Sequence, residues 1–203
     1  MNVLPNHAAL KEWAAVISAL SSGDQILLLR KGGIADPRFG IEAERFYLYP
    51  TYLHQKEKQF KPEHRHHFTR TDRSDSEPAR VCIELWGEAT HVFRIDDLAR
   101  LRKVDPFVIF TDETIEERFR FRPDQAVHVI AIRAYRLASP AMVESDPETA
   151  GCRSWISVAE DISIEESAAV LADAEFARRF ADVERALTED ASRRATVSGS
   201  RGR

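Results

Sequence analysis

The stretch VHVIAIRAYRL, residues 127–137, predicts the fold class of this chain. Alternate side chains from Val127 to Tyr135 would face one side of an extended strand, and those from His128 to Arg136 would face the other. β-Branched and aromatic residues make up much of the segment, which is typical of strands. Its length indicates a central position in a sheet.

Shorter strands are predicted on both sides of this segment. They are QILLLR (25–30), FYLY (46–49), RVCIELW (80–86), ATHVFRI (89–95), FVIF (107–110) and SWISV (154–158). Gly87 would turn the third into the fourth as a hairpin. Because crossover helices do not separate these strands regularly, the pattern predicts an α+β fold whose sheet is mostly antiparallel and curved, or a small barrel.

Helical periodicity appears at the two ends of the chain. Leu10, Trp13, Ile17 and Leu20 recur at helical spacing, so a helix from His7 to Leu20 with Trp13 in the core is expected. Gly23 would end it with a positive φ. Two further helices are predicted to start at Asp96-Asp97 and at Thr111 or Asp112, which would cap them.

The C-terminal part is predicted to pack on this domain as a helix. A capping box at Ser163 and Glu166 would start that helix, which would run to Leu187. The expected organisation is one α+β domain over 7–160, the helix within 161–187, and a disordered tail over 188–203, where periodic apolar residues are lacking.

The composition excludes several classes of protein. The 203 residues include 29 Lys plus Arg and 33 Asp plus Glu, for a net charge of −4. No apolar run reaches the roughly 18–20 residues of a membrane helix, and the N-terminus lacks the pattern of a leader. A cytoplasmic protein without membrane contact is expected. Cys82 and Cys152 are too few for a disulfide framework or a four-thiolate zinc site.

Arg30-Lys31-Gly32-Gly33 is the first candidate binding segment. It puts two cations at a strand end beside glycines whose N–H groups could approach a phosphate. The alternative is a turn with two solvated cations.

A second candidate segment follows the predicted strand 46–49. Tyr49, Thr51, Tyr52, His54 and Gln55 could stack on an unpaired base and hydrogen-bond its edge. The alternative is a helix start with packed tyrosines. We expect Arg30, Lys31, Thr51, His54 and Gln55 to line one concave surface, which predicts a module that binds single-stranded or structured nucleic acid, most simply RNA.

A metal-dependent nuclease of the PD-(D/E)xK type is the alternative function. Glu44, Glu84 and Glu88 could supply its carboxylates, but its lysine would have to be Lys31 from another strand. Three histidines, His64, His66 and His67, fall in the polar region 56–78, which we interpret as an exposed loop rather than a metal site. We therefore predict no metal and no cofactor.

Several segments together resemble the prokaryotic family named domain of unknown function 1802. They are ALKEW (9–13), LLRKGGI (28–34), YPTYLHQ (49–55), RAYRL (133–137) and CRSW (152–155). The resemblance covers about 8–158 and implies no activity. Where an HIWT-like block is expected, this chain has Val108-Ile109-Phe110-Thr111.

A more distant resemblance concerns the ASCH branch of the pseudouridine-synthase-and-archaeosine-transglycosylase-like (PUA-like) barrels, which carry a GxKxxExR strand. Gly23 and Arg30 keep that spacing, whereas Gln25 and Leu28 replace its Lys and Glu. This resemblance implies an RNA-binding architecture by analogy of fold.

Overall fold

The computed structural model describes residues 2–31, 43–71, 77–145 and 153–198. Within these ranges the strands are β1 (Ala8–Trp13), β2 (Leu27–Lys31), β3 (Arg45–Thr51), β4 (Arg80–Ile95), β5 (Val127–Glu144), β6 (Trp155–Ser157) and β7 (Ala168–Ala169). The helices are α1 (Ala14–Ser22), α2 (Arg65–Thr71), α3 (Leu98–Arg102), α4 (Asp112–Arg120) and α5 (Asp173–Ser198).

One mixed sheet contains all of these strands. Its order is β2-β5-β4-β3-β1-β6, with β7 added beside β5. The β1–β3 pair is parallel, and the other pairs are antiparallel. This confirms the predicted α+β class with a mostly antiparallel sheet, and β5 lies inside the sheet as its sequence indicated.

The sheet is strongly curled. Strands β4 and β5 pair along most of their length, with irregular register between Ile83 and Leu85 and between Ala89 and His91. Such bulges bend a strand and increase its twist. As a result the Arg30 side chain on β2 reaches the Lys11 carbonyl of β1 at 2.9 Å, although three strands separate β1 from β2 in the sheet order.

Both faces of the sheet are buried at β3. On β3, Phe46 and Leu48 belong to the larger apolar cluster, together with α1 and the inner residues of β5. Tyr47 and Tyr49 alternate with them and belong to a second cluster on the opposite side. A strand with both faces buried has no polar side, which explains the continuous FYLY run.

The predicted helix from His7 to Leu20 is wrong in its first half. Residues 8–13 form β1, and the helix begins only at Ala14. β1 has a strand on each side, β3 and β6, so its backbone groups are satisfied in the sheet. This pairing outweighs the helical spacing of Leu10 and Trp13. The predicted end of α1 is confirmed, since Gly23 adopts φ 78° and its N–H donates to the Leu20 carbonyl.

The predicted turn at Gly87 is also wrong, because β4 continues without interruption from Arg80 to Ile95. A Cβ at Gly87 would lie 2.8 Å from Cγ2 of Ile132 on β5. The glycine therefore serves a close approach between strands rather than a turn.

Two predicted helix starts are confirmed by capping hydrogen bonds. The Asp97 carboxylate accepts from the Ala99 N–H at the start of α3. The Thr111 hydroxyl accepts from the Thr114 N–H at the start of α4. The strand predicted at 107–110 is reduced to an isolated bridge between Phe60 and Phe110.

The C-terminal helix differs from its prediction at both ends. α5 begins at Asp173, not near Ser163, because Ser163 forms a bridge with Val3 and Ala168–Ala169 pair with strand β5 as β7. It continues past Leu187 to Ser198, so part of the segment predicted to be disordered is helical. Residues 199–203 lie outside the described residues.

The histidine-rich region is not the exposed loop that its polarity suggested. Residues 65–71 form α2, and His67 is 1% exposed. Its ring nitrogens lie 3.0 Å from Ser18 Oγ of α1 and 3.0 Å from Asp24 Oδ2. These contacts hold α2 against the C-terminal end of α1.

Candidate functional site

A cleft of about 560 Å³ opens where the ends of β1, β2 and β3 approach α4. Its wall includes Lys11, Glu12, Trp13, Leu29, Arg30, Lys31, Thr51, Leu53, His54, Gln59, Glu77, Thr114, Glu117, Arg118, Phe121, Val127, Arg153 and Ser154. The volume lies within the roughly 300–1,000 Å³ of pockets that bind one small ligand.

An ion pair joins β1 and β2 on the cleft wall. Arg30 Nη1 lies 3.0 Å from Glu12 Oε2, and the two side chains are 14% and 4% exposed. Glu12 Oε1 also accepts the Trp13 N–H at 2.8 Å. A buried carboxylate needs such partners, because desolvation without compensation costs several kcal/mol.

Arg118 of α4 lies beside this pair. Its guanidinium carbon is 4.4 Å from the ring centroids of both Trp13 and Phe110, so the cation contacts two aromatic rings. Its Nη1 donates to the Leu29 carbonyl at 3.3 Å, whereas its buried Nε has no partner among the described atoms. Burial lowers the pKa of the Arg118 guanidinium, Glu12 raises it and Arg30 lowers it. The result is a rigid cationic surface, since planar guanidinium stacks on aromatic faces.

The cleft carries a positive charge although the chain is acidic. Among the described lining residues the cations are Lys11, Arg30, Lys31, Arg118 and Arg153, and the carboxylates are Glu12, Glu77 and Glu117. Five cations against three carboxylates leave a net charge of about +2, compared with −4 for the chain. Local fields of this kind attract anionic ligands regardless of net charge.

Lys31 is anchored to the end of α4. Its ammonium donates to the Phe119 carbonyl and lies 4.9 Å from the Phe119 ring centroid. Cations are favoured at this end of a helix, where carbonyl groups lack partners. Burial lowers the pKa of the Lys31 ammonium.

Phe121 and His54 belong to the open part of the cleft wall. Phe121 follows α4 directly and is 58% exposed, an unusual position for a large apolar ring. His54 is exposed and adopts φ 65°, in the left-handed region that few residues other than glycine occupy. Backbone strain of this kind occurs preferentially at ligand sites.

The structure brings together Arg30, Lys31, Thr51 and His54 from the predicted set. Gln55 is 5% exposed and serves the fold, since its Oε1 accepts the Ala15 N–H and its Nε2 donates to the Thr71 carbonyl.

The two predicted tyrosines do not line the cleft. Tyr49 is 2% exposed within the second apolar cluster. Tyr52 packs partly against the same cluster. Gly32 and Gly33 lie outside the described residues.

Sequence reasoning missed Glu12, Arg118 and Phe121. Glu12 is flanked by Lys11 and Trp13 in a segment predicted to be helical, where a glutamate ordinarily faces solvent. Arg118 and Phe121 lie in or after α4, among charged residues typical of an exposed helix. The local signal in the sequence was a phenylalanine flanked by Arg120 and Arg122.

The carboxylates proposed for a nuclease are not gathered into a metal site within the described residues. Glu88 pairs with Arg45 at 3.6 Å on the sheet surface. Glu44 and Glu84 are exposed and do not line the cleft.

The fold and the cleft define an α+β domain with a curled mixed sheet and a cationic cleft beside it. A family model for a domain of unknown function, DUF1802, matches residues 9–182. Because this match covers most of the chain, the protein belongs to that family, as the RKGG and YPTYLHQ segments indicated.

Two solved structures are similar in fold, and both are mutants of ZmASCH from Zymomonas mobilis. One is 13% identical, with 64% of this chain and 70% of that chain covered and a TM-score of 0.41. The other is 12% identical, with 66% and 73% covered and the same TM-score. No curated protein matches the chain. Within the described residues, no helix is both long and apolar enough to span a membrane.

Proposed function

We propose that the cleft binds an unstacked nucleotide of single-stranded RNA. The observation that carries this proposal is the exposed ring of Phe121 on the wall of a cleft with a net positive charge. Proteins that bind single strands combine a cationic groove for the backbone with aromatic rings on which bases stack.

The phosphate would contact the cations of the cleft wall. The exposed Arg153 is suited to this contact as a flexible charge, whereas Lys31 would supply a charge that is held at the end of α4. Arg30 uses its Nη1 for the Lys11 carbonyl and Glu12, so its role would be to shape the positive surface more than to move toward a ligand. The Arg118 cation, held between two rings, would contribute a fixed charge.

The base would stack on Phe121. The cleft volume suits one nucleotide unit and not a double helix, whose bases are enclosed in the stack. Thr51 and His54 present a hydroxyl and an imidazole in the same cleft, groups that can hydrogen-bond a base edge or the ribose 2′-hydroxyl. The 2′-hydroxyl is the group that separates RNA from DNA, so RNA is the preferred ligand.

Fluorescence anisotropy with a labelled single-stranded RNA of about 12 nucleotides tests this proposal. Affinity should fall with salt, and Lys31→Ala or Arg153→Ala should each reduce the log–log slope by roughly 0.7, one phosphate's share on a single strand. Phe121→Ala should weaken binding by about 1–3 kcal/mol, or roughly 5–150-fold, with the slope nearly unchanged.

Two matched controls lie away from the cleft wall. Arg70→Ala removes an exposed cation of α2 and should leave the salt slope unchanged. Met142→Ala removes an exposed apolar side chain, 47% accessible, and should leave affinity unchanged. Equal effects of the cleft and control variants would overturn the proposal.

Other outcomes identify the alternatives. Equal affinity for single-stranded DNA of the same sequence would remove the role of the 2′-hydroxyl. Magnesium-dependent cleavage without stable association would favour the nuclease. If the protein neither binds nor cleaves RNA, both functions are rejected. The cytoplasmic location expected from the sequence stays a prediction.

A further inference from the structure

Asp24, His66 and His67 converge at the junction between α1 and α2, away from the residues that line the cleft. One potential ligand atom from each lies within 4.8 Å of the other two. The His66 and His67 ring centroids are 4.0 Å apart, and the His64 ring centroid is 6.2 Å from that of His67. We propose that Asp24, His66 and His67 bind a divalent transition-metal ion of the zinc type.

The donor set fits such an ion. Imidazole nitrogen and carboxylate oxygen are the non-thiolate ligands of zinc, and three protein ligands leave a fourth position for water. Ligand atoms around a tetrahedral zinc ion lie about 3.3 Å apart, because each bond is about 2.0–2.1 Å long. The observed separation of His67 Nε2 and Asp24 Oδ2, 3.0 Å, is close to that value.

Surrounding groups already orient these donors. His67 Nδ1 lies 3.0 Å from Ser18 Oγ, so an N–H at that nitrogen can donate to the hydroxyl and leave the Nε2 lone pair for a metal. His66 Nδ1 lies 3.1 Å from the Glu63 carbonyl, which selects the same tautomer. Metal-bound histidines are typically held in this way through the second ring nitrogen.

Asp24 is positioned by the end of α1. It follows Gly23, whose left-handed conformation turns the chain out of the helix, and its Oδ2 accepts the Ser22 hydroxyl at 2.8 Å. Asp24 is exposed whereas His67 is buried, so the site would have one side open to solvent and one side built into the fold.

The buried Nδ1 of the neighbouring His64 has no hydrogen-bond partner among the described residues. This atom is an observation independent of the three donors, because it is a buried polar group beside them that lacks a partner. Buried polar atoms without partners are uncommon, and an ion or water is a frequent explanation.

Isothermal titration of the full chain with Zn²⁺ alone, in the absence of RNA, tests the site. We expect one ion per chain and a higher melting temperature with zinc. His66→Ala, which removes an exposed ligand, should weaken binding more than tenfold. Asp24→Asn should do the same, and Ser18→Ala should weaken it roughly 10–100-fold, as expected for a group that orients a ligand.

His91→Ala is the matched control, because His91 is also an exposed imidazole but lies against Phe180, outside the cluster. It should leave zinc affinity unchanged. The proposal is overturned if no zinc binds, or if His66→Ala retains an affinity within twofold of the parent protein. Since the cleft residues are untouched, failure here would leave the RNA experiment unaffected.

Discussion

Replacing Glu12 with glutamine tests whether the Glu12–Arg30 pair holds the curled sheet together. The glutamine keeps an acceptor for the Trp13 N–H and removes only the negative charge opposite Arg30. Both side chains are well enclosed, with exposed fractions of 4% and 14%, and they connect strands that are not neighbours in the sheet. Arg30 would then be an almost uncompensated cation beside Arg118.

Removing one partner of a buried pair costs about 3–5 kcal/mol. We expect a loss near 3 kcal/mol for Glu12→Gln, at the lower end, because Arg30 still donates to the Lys11 carbonyl at 2.9 Å. Replacing both partners, as in Glu12→Gln with Arg30→Met, should cost less than the sum of the single changes, since no unpaired charge remains.

Urea unfolding followed by circular dichroism measures these free energies. Glu88→Gln is the matched control, because Glu88 and Arg45 are 3.6 Å apart with side chains 34% and 54% exposed. An exposed pair of this kind contributes at most about 1 kcal/mol. If Glu12→Gln costs no more than Glu88→Gln, the pair is not what closes the sheet.

Two further predictions concern the central strands. Gly87→Ala should destabilise the fold by about 1–3 kcal/mol in the same unfolding assay, because its Cβ would lie 2.8 Å from Cγ2 of Ile132. A loss below about 0.5 kcal/mol would show that Ile132 and β5 move aside at little cost. Burial lowers the pKa of His128 below its ordinary value of about 6.5, and the nearby Arg94 lowers it further. The unfolded chain therefore binds this proton more readily than the folded chain, so the free energy of unfolding should fall as the pH drops below 6.5. Unfolding at pH 7.5 and 5.5 should show a smaller drop for His128→Gln than for the parent protein, and equal drops would contradict the assignment.

Local patterns in the sequence determined several elements correctly. The alternation of residues 127–137 predicted β5, and the run QILLLR predicted β2 to within a few residues. Gly23, Asp97 and Thr111 marked helix ends, because capping depends on side chains within a few residues of the terminus. The polarity of Arg30 and Lys31 at a strand end indicated one part of the cleft.

Tertiary pairing decided the rest. Residues 8–13 have a spacing compatible with a helix, and they are extended because β3 and β6 lie on either side to receive their backbone hydrogen bonds. No local rule predicts a parallel partner that lies more than thirty residues away. Gly87 likewise carries a turn signal that the packing of Ile132 converts into a contact between strands.

The candidate site also combines features that are visible in the sequence with features that depend on tertiary contacts. Its cations could be recognised in the sequence, but the carboxylate that pairs with Arg30 and the rings that contact Arg118 come from other elements. His67 looked like part of a solvated polar run, yet it is buried because α2 folds back onto α1. A sequence specifies which side chains are present and which local shapes they favour, whereas burial and charge pairing depend on contacts between distant segments, and these exist only in the folded chain.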